Sequence, residues 1–217
     1  MITAVVVDGG EPFLKSSLKS LRAQTVPTKI IVAPSDKTDI GIAKKYADKV
    51  MKPVDGIGRA RVQAILEAST PYILSCDSDT FYPPKYAEYA LETLRHWNAV
   101  KAGIILPLEG RNPLAWAEVA TQPWFAYEFS LGFRRQAFLD AGIHRDDYSQ
   151  QKNDIGRAVM VKLIPVPNPR MVCYTRLPTY HAELAVDYIP IALVGFAPLV
   201  ASVGIPLLNE AWRIIHK

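Results

Sequence analysis

The chain has 217 residues, a formal net charge of +4 and a pI near 9.0, with 49% hydrophobic and 21% charged residues. That length suits one good-sized domain, or a domain with an appendage, and the composition excludes a disordered chain. The basic excess favours anionic partners such as nucleotide diphosphates or acidic lipid surfaces, but the basic residues are scattered without runs or aromatic interleaving, so nucleic-acid binding is not expected.

The first hundred residues alternate between short apolar runs and segments of helical spacing. The N-terminal run to Val7 lacks the basic start and length of a signal peptide and is predicted as the first strand, over 2–7. Residues 12–24 carry helical spacing through Phe13, Leu14, Leu18 and Leu21, with Pro12 suited to a first turn. A short strand is expected over 29–33, and a helix over 39–49 after the capping residues Ser35, Asp36 and Thr38. Gly56-Ile-Gly58 opens a helix through Ser69, followed by a strand over 72–76, a helix over 84–97 and a strand over 99–106. Such alternation argues for βαβ units and a mostly parallel sheet.

After Pro107 the rhythm breaks. Residues 108–128 are expected to be irregular, with one short helix near 115–120. A strand over 126–133, a helix over 134–141, a polar stretch over 144–154 and a helix over 155–161 follow. Prolines 165, 167, 169 and 178 then divide the chain into short extended pieces. From Tyr188 to Leu208 there is no charged residue, and about twenty residues is the length that spans a bilayer as a helix. Pro190, Pro198 and Pro206 argue against one straight helix, leaving spanning, lying on the membrane and packing on the domain all open. Cys76 and Cys173 lie in apolar runs without metal-ligand spacing and are expected to be reduced and buried, which suits a cytosolic face.

Chemistry concentrates at Asp77-Ser78-Asp79, where the apolar run from Tyr72 to Cys76 stops on two acids. Residues two apart in an extended segment point to the same side, so both carboxylates can meet one ligand at the carboxyl edge of a sheet. Two close carboxylates repel unless a cation or a hydrogen-bonding ligand lies between them. The plainer alternative is a capping turn before Pro83.

Several segments together resemble the GT-A-fold nucleotide-sugar glycosyltransferases, nearest to the inverting family-2 enzymes. They are Val5-Val-Val with Glu11-Pro-Phe-Leu14, Ser17 to Leu21 and Gln24-Thr25; Lys29 to Val32 with Ser35 to Asp39; Gly58-Arg-Ala-Arg61; and the strand ending in Asp77-Ser-Asp79. Farther on, Arg134 to Gly142 and Asn153 to Arg157 resemble the acceptor-side helix and the acid-containing helix start. The resemblance covers residues 2 to about 160. It implies an α/β, GT-A-like fold over 1–182: a mixed, mostly parallel sheet flanked by helices. The hydrophobic C-terminal tail, 183–217, lies beyond it and is expected to associate with a membrane, with the catalytic domain on the cytoplasmic side.

What the resemblance implies for function is a metal-dependent, inverting transfer of a hexose from a nucleotide diphosphate sugar to an acceptor hydroxyl or phosphate on a glycan or lipid. Manganese or magnesium would offset charge on the leaving diphosphate. Asp79 is assigned as a direct metal ligand, Asp77 as a contact to the ribose or to a metal-bound water, and His181 as a further ligand. Asp154 is the candidate base for the acceptor hydroxyl, against an ordinary N-cap, with Asp146 and Asp147 as rivals. Arg59 or Arg61, at a helix start opened by glycines, would hold the diphosphate, and Glu11 joins the donor side. Trp116 and Trp124 would wall an acceptor site or pack in the core. Family members usually carry acids where this chain has Ala33 and Pro34, leaving Asp36 or Asp39 to read the base. Val62 and Asn153 likewise replace a usual Asn and Glu. Two other readings compete: a sugar-phosphate nucleotidyltransferase, whose basic Gly-rich loop Gly9-Gly10-Glu11-Pro12 does not supply, and a membrane-tethered binding module that has lost activity.

Overall fold

The computed structural model describes residues 1–107, 127–145 and 154–175. Its first strand, β1 (Ile2–Asp8), is buried along its whole length, which is why it reads as one apolar run and not as an alternating one. Parallel partners flank it on both sides: β2 (Thr28–Pro34) and β4 (Tyr72–Asp77). Helices α1 (Leu14–Arg22), α2 (Ile40–Tyr46), α3 (Ile57–Glu67) and α4 (Tyr86–Leu94) make the connections, as the alternation of apolar runs and helical spacing predicts. The two-residue strand β3 (Lys49–Val50) pairs with β2, so α2 stops at Tyr46 and not at residue 49. Gly56 enters α3 at φ +87, a left-handed conformation that suits glycine.

The second half adds β6 (Ala99–Pro107), β7 (Leu131–Arg134), α5 (Arg135–Asp140), α6 (Asp154–Lys162) and β8 (Val166–Thr175). The strand expected over 126–133 begins instead with a 3-10 turn, Glu128–Ser130, before β7. The extended pieces expected after Pro165 are one strand, β8, that carries Pro167 and Pro169. Prolines are tolerated there because the N-terminal half of β8 pairs only with β6 among the described residues, and that ladder is irregular between Ala102 and Ile104. The short helix expected near 115–120, the tail from 183 and Pro178 lie outside the described residues.

Among the described residues eight strands form one sheet in the order β3-β2-β1-β4-β7-β6-β8-β5. The last, β5 (Thr80–Phe81), begins three residues after β4 ends, yet pairs with the end of β8 across the sheet. The sheet must therefore curl until the ends of β4 and β8 nearly meet, and the Thr80 and Thr175 hydroxyls lie 3.1 Å apart at that closure. Two cores cover its faces. Ile2, Ala4 and Val6 pack with α1 and α4 on one side, while Val5 and Val7 pack with α3, α5 and α6 on the other. Phe133 and Phe138 stack in the second core at 5.0 Å. No helix among the described residues is long and apolar enough to cross a membrane.

At Gly103 an added Cβ would fall 2.6 Å from both the Asn168 carbonyl oxygen and Pro169 Cα, so β6 and β8 approach too closely there for a side chain. Gly103→Ala is expected to destabilise the fold by about 1–3 kcal/mol, the usual cost of overpacking. The measurement is the urea midpoint against wild type, and an unchanged midpoint would refute the close approach.

Candidate active site at the carboxyl edge of the sheet

The register of the parallel strands brings the functional groups together. Val7 pairs with Ala33 on one side and with Asp77 on the other, so the chain leaves β1, β2 and β4 at one level of the sheet. Asp8, Glu11, Asp77, Ser78 and Asp79 gather there. Glu11 Oε2 accepts hydrogen bonds from Gly9 N at 2.8 Å and from Ser78 Oγ at 2.8 Å, which folds the glycine loop after β1 over the turn after β4.

The paired acids differ from the sequence expectation in one respect. The strand ends at Asp77, and Ser78-Asp79 form a tight turn into β5, so alternation along an extended strand does not orient the two carboxylates. Packing does this instead. Asp77 Oδ1 receives Arg61 Nη2 at 2.5 Å, and its backbone N–H donates to Tyr82 Oη at 3.1 Å. Tyr82 is fully buried and donates to the Phe129 carbonyl. The Ser17 hydroxyl of α1 donates to the Asp77 carbonyl. Asp79 is half-buried beside the Thr80 hydroxyl.

Arg61 is 1% exposed. Its guanidinium donates to Ser75 Oγ at 2.8 Å and to the Cys76 carbonyl at 3.0 Å, besides Asp77. Nε lies 3.1 Å from Glu128 Oε2 without an aligned hydrogen bond, and burial, offset only in part by Arg61, raises the Glu128 carboxyl to about 7. Burial opposes the charge on Arg61, but Asp77 and Glu128 outweigh it and raise the pKa further. Glu128 Oε1 accepts from the backbone N–H groups of Ile155 and Gly156, in the first turn of α6. Arg61 thus contacts the solvent-facing part of the site through Asp77, while Arg59 stands exposed on α3.

The carboxylates exceed the positive charge beside them. Burial raises the Asp79 pKa to about 7, with Asp77 and Glu11 adding to the shift. Burial also raises Asp8, which is 1% exposed; neither of its oxygens has an aligned partner, although the Thr38 and Ser78 hydroxyls lie near enough to offset part of the shift. For Glu11 burial is outweighed by hydrogen bonds, first from Ser78, and its pKa falls. Among the described residues no three His, Cys, Asp or Glu side chains form a complete metal cage. A divalent cation bound by one or two carboxylates and by the oxygens of a diphosphate needs no such cage, and the strain on Asp79 fits that shared arrangement.

The other expected residues are placed as follows. Asp39 caps α2, accepting from Ile42 N at 2.9 Å, and Asp36 is exposed in the loop before it. Asp154 opens α6, whose start is bound to Glu128. Asp146, Asp147, Trp116, Trp124 and His181 lie outside the described residues. Asp8, Tyr82 and Glu128 also belong to this cluster, although the sequence pattern did not single them out. A lone acid between Tyr127 and Phe129 in an aromatic run was the available signal for Glu128, because such a carboxylate needs a buried partner. A hollow of about 460 Å³ lined by Asn98, Arg134, Gln136 and Asp140 lies by the opposite strand ends and holds no paired acids.

The family description "Glycosyl transferase family 2" matches residues 3–149, more than half of the chain. No curated protein sequence matches it. Among solved structures, TarS 1-349 of S. aureus with UDP-GlcNAc is similar at 16% identity and TM-score 0.63, over 82% of this chain and 59% of that one. A mannosyltransferase of Pyrobaculum calidifontis, in complex with GDP-Man and Mn2+, is similar at 16% identity and TM-score 0.63, over 100% of this chain and 80% of that one. A further TarS structure is matched over 82% of this chain and only 37% of its own length, so this chain spans well under half of that relative. At these identities the likeness is one of fold, and the fold is GT-A-like: mixed α/β with a curled sheet.

The raised pKa of Asp79 gives a pH dependence with a definite sign. The folded protein holds that proton more tightly than the unfolded chain does, so the stabilisation is complete below the ordinary aspartate pKa of 3.8 and is lost as pH rises towards about 7. Without metal, the wild type is expected to lose stability across this window relative to Asp79→Asn. Denaturant melts of both proteins between pH 4 and pH 8 check this, and parallel curves would refute it.

Proposed function

This chain belongs to glycosyl transferase family 2, and from that premise we propose that it is a metal-dependent, inverting glycosyltransferase that moves a hexose from a nucleotide diphosphate sugar to an acceptor hydroxyl or phosphate. The observation that carries this reading is the gathering of Glu11, Asp77 and Asp79 at the ends of parallel strands, with the Asp79 carboxyl raised to about 7 by burial and, after it, by its acidic neighbours. Open α/β sheets bind ligands at that edge.

In this proposal Asp79 and Asp77 hold manganese or magnesium together with the donor diphosphate. The bound cation offsets the negative charge that develops on the leaving group. Asp77 is oriented by Arg61, which takes one carboxylate oxygen and leaves the other for the donor. Glu11 fixes the glycine loop against Ser78 and closes the donor side. Arg59, exposed on the same helix, is assigned to the diphosphate. Asp154 takes the proton from the acceptor hydroxyl on the face opposite the leaving group, as inversion requires. Asp36 and Asp39 are the acids nearest the place where relatives read the base, but the capping bond of Asp39 leaves Asp36 freer to turn towards a donor. His181 is retained as a further metal ligand. The complex of the P. calidifontis mannosyltransferase with GDP-Man and Mn2+ supports donor and metal class by analogy.

We further propose that the uncharged run 188–208 attaches the protein to a membrane, with the domain on the cytoplasmic side and a lipid-linked acceptor within reach. Fractionation of the full chain against one ending at Ala182 tests this. The full chain is expected in the membrane fraction and the short one in the supernatant; two soluble, monodisperse proteins would overturn it.

Asp79→Asn is expected to abolish manganese-dependent nucleotide binding and transfer while the protein stays folded. Asp154→Asn is expected to lower turnover by about a hundredfold or more with donor affinity little changed, the usual contribution of a positioned base. Calorimetry with UDP and GDP, with and without manganese, and transfer assays with UDP-GlcNAc and GDP-mannose read both variants. Wild-type activity in Asp79→Asn would refute the assignment of the site.

A further inference from the structure

Resting on the assignment of Asp154 as base, we propose that Glu128 is a positioning residue that locks the first turn of α6 to the Arg61–Asp77 pair, so that the donor-side and acceptor-side carboxylates share one rigid frame.

Glu128 is 4% exposed, and its two oxygens do separate things. Oε1 accepts from Ile155 N at 3.1 Å and Gly156 N at 3.2 Å, satisfying two of the amide groups that a helix start leaves unpaired. Oε2 lies against Arg61 Nε at 3.1 Å. The helix dipole favours an anion at this end, which adds to the hold on α6. On its far side the same guanidinium grips Asp77 through Nη2, and Ser75 and Cys76 take both donors of Nη1. A guanidinium is planar, so the directions to its two carboxylates are set together. Moving α6 would pull Glu128 from Arg61, and Asp77 would lose its orientation in turn. A helix cap alone needs no buried cation behind it. The chain here joins the turn after β4 to the helix that opens with Asp154, although the two are far apart in sequence.

Glu128→Gln separates these roles. A Gln carbonyl oxygen can still accept from Ile155 and Gly156, while the charge facing Arg61 is gone. In the full chain with manganese and UDP-GlcNAc or GDP-mannose, Glu128→Gln is expected to lower kcat by about tenfold to a hundredfold with donor KM within about twofold of wild type. In an Asp154→Asn background the same change should lower kcat no further, because both residues act on one step. A merely structural defect would multiply with the Asp154→Asn loss, and that outcome overturns the proposal, as does wild-type kcat in Glu128→Gln.

A second arm needs no turnover. Amide exchange at Ile155 and Gly156 should quicken in Arg61→Lys, although Arg61 bonds to neither amide, because a Lys ammonium cannot reach Asp77 and Glu128 at once. Exchange at those two amides at the wild-type rate would overturn the linkage. Failure of the wild type to transfer from either donor would instead count against the proposed function, and the exchange arm would then decide this inference by itself. Should Arg61→Lys lose its fold, exchange at the same amides in the near-isosteric Glu128→Gln decides it: protection equal to wild type refutes the lock, and lost protection supports it.

Discussion

The buried guanidinium of Arg61, shared by Asp77 and Glu128, is the interaction on which the rest of the site depends. Taking charges out of water is costly, and a buried ion pair does little for stability when compared with apolar residues of the same volume. Removing one partner is another matter, at about 3–5 kcal/mol, because the remaining charge is left without compensation. The cluster is therefore better understood as a device for geometry than for stability. It joins α3, the end of β4 and the turn before β7 through directional contacts, which apolar packing does not supply. Donor groups with set directions, on a planar guanidinium, supply the orientation that burial alone does not.

The curl of the sheet is the second constraint. Strands β1, β2 and β4 run parallel and end at one level, so the loops that follow must share one edge. The antiparallel β7, inserted between β4 and β6, brings Glu128 to that neighbourhood from the second half of the chain. The pairing of β5 with β8 then ties the turn that carries Asp79 to the far side of the sheet. Asp79 is held near Asp77 and Glu11 by this closure, and its carboxyl is pushed up first by burial and then by these two acids, while Arg61 is already engaged by Asp77. Such a surplus of negative charge is unfavourable in an empty site and favourable once a cation enters it.

The buried thiols and tyrosines give the edge a rigid backing. Burial lifts the Cys76 thiol to about 12 and raises Cys173 as well, so both stay protonated and behave as small apolar groups. Tyr82 and Tyr86 lie with their ring centroids 5.0 Å apart, and Tyr82 carries its hydroxyl to the end of β4. Gln24 of the segment after α1 binds the carbonyls of Tyr82 and Pro83 and the Ala87 amide, so the turn after the paired acids is held from outside the sheet as well. An active site that must not shift by an ångström needs this second layer of contacts.

Local chemistry made much of this legible in the sequence. Short apolar runs placed β1, β2 and β4, and a 3.6-residue period placed helices α1, α3 and α4, within a few residues, because the strands are buried on both faces and the helices on one. The acids after β4 were visible for the same reason: a charge is conspicuous at the end of an apolar run. The ten-residue strand β8 was hidden, since its prolines are acceptable only where one edge of the strand goes unpaired, as it does among the described residues, a fact of pairing and not of sequence. Tertiary structure alone decided the roles of Arg61 and Glu128. A residue's spacing along its own helix says whether it faces inward, but not which carboxylate meets it there, and those partners come from segments that only the curled sheet brings together.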